Sequence, residues 1–391
     1  MLRKLPLLLL FVCCSQWSMS QQYDPSLVPG IVVTHSPQSS GKYIGSPSIA
    51  ILPNGHYVAS HDFFGPESNE HESATSRIFV SKNKGRTWTQ IAELQDAFWS
   101  KLFVHQNDLY FLGTHKHHGN TLLRKSTDSG RTWTQPTDRK NGLLLEGEYH
   151  CAPGPVLIHD GRLWRAMESA MGTPKRWGKR YGNFMMSAPV EADLLDAGNW
   201  TISNTLYRDT SYLNGNFNAW IEGNAVVDRE GQLWNILRVD DKSTIEEKAA
   251  FVRISTDGKK ASFDPQTGFK PFPGGAKKFT IRYDKSSDRY WMIANYIPAD
   301  IKKYNPTINP ATVRNTQALM SSRDLVNWEL ERILLHHREM KYHGFQYIDW
   351  QFDGRNIIYL SRTAYDDGLG GAHNNHDANF LTFHRIRNFR K

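Results

Sequence analysis

Cysteine is almost absent from this chain: three residues in 391, and two of them, Cys13 and Cys14, fall inside the first twenty. Without that first stretch Cys151 stands alone, and no intramolecular disulfide can form. Stability must then come from a buried apolar core, which a chain of this length is able to build. Long apolar runs are missing as well. Beyond the N-terminus no segment approaches the ~20 residues that span a bilayer as a helix, so no membrane span is expected. There is no surplus of acid either: 47 Lys and Arg face 39 Asp and Glu, a formal net charge of +8. The basic residues are scattered rather than clustered, which argues against a nucleic-acid partner and leaves a mild bias toward an acidic polysaccharide.

The apolar run at the N-terminus reads as a processing signal. Arg3 and Lys4 lead into it and Ser18-Met19-Ser20 ends it, the pattern of a cleaved secretory leader over residues 1–20. Val12 and Cys13 precede the two early cysteines, where lipid attachment asks for a small residue, so a secreted or periplasmic protein is expected rather than a lipoprotein. Residues 21–391 are read as one domain, expected to be monomeric.

What is abundant is repetition. SKNKGRTW (81–88) and STDSGRTW (126–133) are near copies, with weaker relatives in STDGKKASF (255–263) and SSRDLVNW (321–328). Upstream of such turns a second pattern recurs six times: an apolar strand, a Gly/Asn/Asp/Ser turn, then an aromatic-rich strand. Its copies begin at SIAILPNGHYVAS, SKLFVHQNDLYFLG, GPVLIHDGRLWRAM, NAVVDREGQLWNIL, FTIRYDKSSDRYWMIA and FQYIDWQFDGRNIIYLS. Only Glu191–Ala197 looks locally helical. A radial all-β array follows from matched hairpins of this kind. The last unit, with a third strand at Asn379–Ile386, lacks a fourth, which Ile31–Thr34 from the N-terminus supplies, removing an open edge.

The S-x-D/N-x-G-x-T-W turns resemble the Asp-box of sialidase-like β-propellers, and the resemblance covers nearly the whole chain after residue 20. It implies an all-β fold: a single β-propeller of four-stranded blades, six by the hairpin count and seven left open by related families. The Asp-box residues themselves are structural, since Ser and Asp bond the turn backbone and Gly supplies a permissive dihedral.

Alternating strand direction puts the A-strand starts and B-strand ends on one face. His150 heads an inner strand there and points toward the central mouth, with Glu222 and Arg238 as companions. His61, His115, Arg362, Tyr365, His373 and His376 share that face as substrate-binding candidates. His115 and His117 form an H-x-H pair that leaves room for a divalent metal ion, although the sequence designates no further ligands and a solvated loop is the simpler reading. The opposite face holds His56, His105 and His159 in A–B turns.

Four runs, YIGSPSIAILPNGHYVASHDFFG, YHCAPGPVLIHDGRLWRAMES, WIEGNAVVDREGQLWNILRVD and FQYIDWQFDGRNIIYLSRTAYDD, resemble a narrower group: ulvan lyases, and the α-L-rhamnosidases and lyases that act on rhamnose attached to glucuronic acid. The rhamnosidase reading implies one catalytic histidine on the opposite face, for which His56 is the candidate. The lyase reading implies His150 with Arg238 and a tyrosine partner, in whose place Glu222 stands. A sialidase reading would need an arginine cluster and a Tyr–Glu pair, and Thr34-His35-Ser36-Pro37 offers no arginine where its first one is expected. A non-catalytic glycan-binding propeller is the remaining class. The expectation carried forward is cleavage of a terminal α-L-rhamnosyl–glucuronate linkage in an acidic or rhamnose-containing polysaccharide, without a certain cofactor.

Overall fold

The computed structural model describes residues 23–391, so the expected leader, with Cys13 and Cys14, lies outside the described residues. The described chain is nearly all strand. Its one α-helix is Ala299–Tyr304. The segment that looked helical in sequence ends instead in a single 3-10 turn, Ala197–Asn199, capped by the Asp196 side chain on Gly198 N at 2.8 Å. No helix among the described residues is long and apolar enough to cross a membrane.

Each of the six expected hairpins forms, and all are antiparallel. Ser48–Ile51 pairs with Tyr57–Phe64, Phe98–His105 with Asp108–Thr114, and Leu157–His159 with Arg162–Ser169. Phe217–Val227 pairs with Leu233–Asp241, Thr280–Asp284 with Arg289–Asn295, and Gly344–Asp353 with Asn356–Ala364. Leu143–His150 bridges the second and third units, pairing with Gly119–Ser126 along its length and with Ser169 and Glu168 at its end. In the last unit the N-terminal strand Ile31–His35 lies beside the C-terminal strand Phe380–Ile386, with Ile31 opposite Phe383 and His35 opposite Phe380.

Apolar side chains from successive units fill the spaces between sheets. Trp164, Trp220 and Trp350 are among the largest wholly buried residues, and truncating such a side chain to alanine costs about 3–5 kcal/mol. The Asp-box turn at 126–133 satisfies itself. Ser126 Oγ accepts from Gly130 N at 2.9 Å, Asp128 Oδ1 accepts from Arg131 N and Thr132 N at 3.0 and 2.9 Å, and Trp133 Nε1 donates to Gly130 O at 2.9 Å. Gly85 and Gly130 adopt φ of 86° and 93° in these turns. A Cβ on Gly85 would lie 2.1 Å from the Phe383 ring, so glycine is required there twice over.

The opposite ends of the inner strands are irregular in a repeated way. Pairing slips between Phe98 and Lys101, between Ile221 and Asn224, and between Gln346 and Asp349. At each slip one residue takes a left-handed backbone: Trp99 at φ 46°, Glu222 at 61° and Tyr347 at 53°. Bulges of this type re-aim a side chain. Two residues beyond each bulge come Lys101, Asn224 and Asp349, at 1%, 0% and 0% exposure. Asp349 pairs with Lys101, accepts from Ser48 Oγ at 3.1 Å and Ile49 N at 2.8 Å, and has Arg282 at 3.6 Å. Lys278, also buried, donates to Ile348 O at 2.5 Å and Thr280 Oγ1 at 3.0 Å. Burial alone would raise Asp349, but the charges of Lys101 and Arg282 outweigh it and hold the carboxyl below its ordinary value. The result is a buried polar plug beneath the bulges.

Candidate functional site

Above that plug a cavity of about 250 Å³ opens, and all three bulge residues, Trp99, Glu222 and Tyr347, line it. Three left-handed non-glycine residues at equivalent positions, each facing one cavity, form the strongest local signal in the molecule. Backbone strain of this kind costs ~1–3 kcal/mol per residue and persists where the surroundings enforce it, commonly at functional sites.

Glu222 is 5% exposed, and its Oε2 accepts from Arg238 Nη1 at 3.1 Å. Burial pushes its carboxyl up, but Arg238 and His150 overcome that and the net direction is down, so Glu222 is ionised at neutral pH. Arg238 sits behind Glu222 with its guanidinium 5.8 Å from the Trp177 ring. Trp177, 49% exposed, stands at the cavity rim. Arg362 lies between Phe64 and Tyr347, 4.3 and 4.5 Å from the two ring centres, and is held there by hydrogen bonds to His376 O at 3.0 and 2.6 Å. Arg314, 6% exposed, reaches Gln346 and lies 5.8 Å from the Tyr347 ring. Burial lowers Arg314 to about 10, which still leaves it cationic at neutral pH. Three guanidiniums thus surround one tyrosine and one carboxylate.

His150 forms another wall. Its Nδ1 is 2.9 Å from Glu168 Oε2, and Glu168 Oε1 accepts from Gly223 N at 3.2 Å, which ties the histidine to the Glu222 bulge. The His150 ring meets Trp99 edge to face at 3.9 Å and Tyr181 at 4.8 Å between centres. The Tyr181 hydroxyl, 2.9 Å from His118 Nε2, is pushed up by burial. Cys151, beside His150, is 1% exposed, and burial raises its thiol to about 12.

Of the sequence-derived candidates, His150, Glu222, Arg362 and His376 line the cavity, and Arg238 stands directly behind it. The others lie elsewhere. His61 is 1% exposed, with its ring turned into the core against Phe63 and Phe79, and burial lowers it to about 4. Strand alternation explains this: Asp62, one residue on, faces the other way and accepts from Ser46 N and Trp99 N at 2.8 and 2.5 Å. His115 shapes its own loop by accepting from Asn120 N at 2.8 Å. Tyr365 packs on His337 and His343, and exposed His373 stacks on Tyr43. His56 lies on the turn between two strands, where its backbone N donates to Asn54 Oδ1 at 3.0 Å. On the same side His105 is committed to Val190 O at 2.7 Å and His159 lies 3.2 Å from Asp160.

Sequence reasoning missed Trp99, Tyr347 and Arg314. Superposing the hairpins on their buried polar residues would have found the first two, because Trp99, Glu222 and Tyr347 each stand two residues before one of them, Lys101, Asn224 and Asp349. Arg314 lies on the segment before the strand Thr316–Ser322 and follows no repeat. A larger groove of about 1040 Å³ is rich in basic residues, but its one carboxylate, Asp353, is taken by Arg385 at 2.7 Å and Tyr57 Oη at 2.8 Å.

No protein-family model and no curated protein sequence matches this chain. Solved structures do. An α-L-arabinanase of Penicillium chrysogenum is similar over 93% of this chain and 99% of its own, at 13% identity and a TM-score of 0.54. An α-L-arabinofuranosidase of Fusarium graminearum matches over 92% and 97%, at 11% identity and a TM-score of 0.56. A Trypanosoma rangeli sialidase matches over 91% of this chain but 55% of its own, at 14% identity and a TM-score of 0.54. At these identities the likeness is one of fold, and it agrees with the nearly all-β, antiparallel, propeller-type architecture of the described residues.

Proposed function

We propose that this chain is an exported glycoside hydrolase for an acidic glycan, working in the cavity at the bulged ends of six propeller blades closed by Ile31–His35. One observation carries the reading: Arg362 lines a single concave site with Tyr347 and Glu222, with Arg238 paired to Glu222 and Arg314 beside Tyr347 just behind it. Guanidiniums are the side chains best matched to a carboxylate, and a cavity of about 250 Å³ suits one sugar unit at a chain end. The glycosidase activities of the structural neighbours support the class.

The chemistry follows from the groups present. The arginines hold the substrate carboxylate. Ionised Glu222 takes the proton of the Tyr347 hydroxyl as the phenolic oxygen attacks the anomeric carbon. The glycosidic C–O bond breaks, and a proton from His150, oriented by Glu168, goes to the departing oxygen. Water then cleaves the tyrosyl–sugar bond by the reverse proton path.

Within this class the terminal α-L-rhamnosyl–glucuronate linkage is the first substrate to test, on the resemblance of the four runs quoted above, with the uronate on the arginines. A sialoside is the second, because the Tyr–Glu pair and arginine cluster are what that reading requires, and Arg362 makes up for the arginine missing near residue 35. Elimination is supported less, since the tyrosine nearest His150 is Tyr181, whose hydroxyl is engaged by His118.

The test is to incubate purified protein with gum arabic, ulvan and a sialyl oligosaccharide, following free rhamnose, free sialic acid and ultraviolet absorbance of unsaturated uronate. Free rhamnose or sialic acid that disappears in Tyr347→Phe supports hydrolysis at this cavity. New absorbance, or activity that survives Tyr347→Phe and is lost in His56→Ala, overturns it.

A further inference from the structure

Beside the cavity, and unused by that chemistry, two loops bring together Glu70, His71 and His117, one donor atom from each lying within 4.8 Å of the others. His71 Nε2 is 3.1 Å and His117 Nδ1 3.5 Å from Glu70 Oε1. A tetrahedral ion with bonds of ~2.1 Å separates its donors by roughly 3.4 Å, so these spacings suit three ligands of one metal. They suit hydrogen bonding less well. His117 Nδ1 and Glu70 Oε2 are both buried without a hydrogen-bond partner, and such atoms are few in a native structure and call for an explanation.

The scaffold around the trio is fixed. His117 N donates to Glu70 O at 2.6 Å and Ala74 N to His115 O at 3.1 Å, joining the two loops through their backbones. The His117 ring stacks on Phe98 at 5.6 Å and meets Trp99 edge to face at 4.6 Å, which sets its direction. Glu70 and His117 also line the catalytic cavity.

We infer that Glu70, His71 and His117 form a site for a divalent transition ion of the zinc class, with a fourth coordination position open toward the cavity. Two imidazoles and one carboxylate match the preference of such ions, and three protein ligands with one open position is the arrangement that admits a water or a substrate oxygen. At this place the ion would add positive charge to the cavity wall and a contact for a hydroxyl or carboxylate oxygen of the bound sugar. The H-x-H pair noted in the sequence contributes one ligand, not two, since His115 faces its own loop.

A second cluster, His337, Glu339 and His343, provides the control. Its rings stack at 3.6 Å between centres, His343 Nδ1 is 2.7 Å from Glu339 Oε2, and His337 Nδ1 accepts from Glu339 N at 3.2 Å. His337 Nδ1, His343 Nδ1 and Glu339 Oε2 are thus engaged within the cluster, and the remaining buried His343 Nε2 lies 3.3 Å from Asp366 Oδ2.

The experiment uses untagged protein stripped with a chelator and titrated with Zn(II) by calorimetry and with Co(II) by visible absorption, neither of which depends on turnover. The expected result is one ion per chain with the absorption of four- or five-coordinate cobalt. His71→Ala and His117→Ala should each weaken binding ~10-fold or more, while His337→Ala leaves it unchanged. His71 is 73% exposed, so its replacement does not threaten the fold. Absence of saturable binding, binding unaffected by His71→Ala, or binding lost in His337→Ala would overturn the inference.

Discussion

At the Asp-box end of each hairpin, polar side chains turn back on their own backbone. Ser81, Asn83, Ser126, Asp128, Ser322 and Asp324 find partners within a few residues. At the bulged end of the same hairpins the partners come from different units: Glu168 bonds His150 and Gly223, and Asp62 bonds Ser46 and Trp99. Buried atoms are also left over there, among them Arg238 Nε, His117 Nδ1 and Glu70 Oε2. Both ends are polar, but at the first most partners are local, with the buried Trp88 Nε1 an exception, and at the second they are drawn from several units. Motif-rich sequence therefore marks the end whose partners are local, not the end that holds the cavity.

The largest test of this contrast is at Tyr347. Tyr347→Phe should lower turnover ~1,000-fold or more with substrate binding retained, measured by steady-state kinetics, while His56→Ala at the other end changes it less than ~3-fold. A large loss in His56→Ala would reverse the assignment of the two faces. Next is Arg314→Met. It should weaken acidic substrates ~100-fold through KM, as expected when a charge-assisted contact to a carboxylate is removed, and leave a carboxyl-reduced analogue nearly untouched.

At the self-satisfied end the effect should fall on stability alone. Gly85→Ala, forced into positive φ against Phe383, should cost about 1–3 kcal/mol in denaturant unfolding, with turnover per folded molecule unchanged. The smallest signal is in pH. Burial raises Asp62 to about 7, so its contribution to stability is full below the ordinary carboxylate range and fades as pH climbs from about 4 to 7. Asp62→Asn should flatten that slope in thermal melts across the same window.

The hairpins and Asp-boxes were legible because their causes are local: apolar alternation, turn residues and a repeated eight-residue pattern. His150 and Arg362 were legible because a strand start or end fixes which way they face. Tyr347 was not, because a register slip that only paired strands reveal turns it into the cavity. Arg314 lies outside the repeat, so no internal comparison could draw it out. His61 misled for the opposite reason: it sits at the expected strand end, but the pleat sends its ring into the core. Propeller topology gathers the strand ends, and bulges then decide which side chains meet.

The plug of Lys101, Asn224, Lys278 and Asp349 has a consequence for traffic. These residues are at most 2% exposed, and three of them follow the cavity-lining bulge residues by two positions. If the proposed hydrolysis takes place in that cavity, side chains packed this tightly behind it leave the mouth as both the way in and the way out. On that proposal a polymer would be clipped at its terminus, one encounter at a time, rather than threaded through.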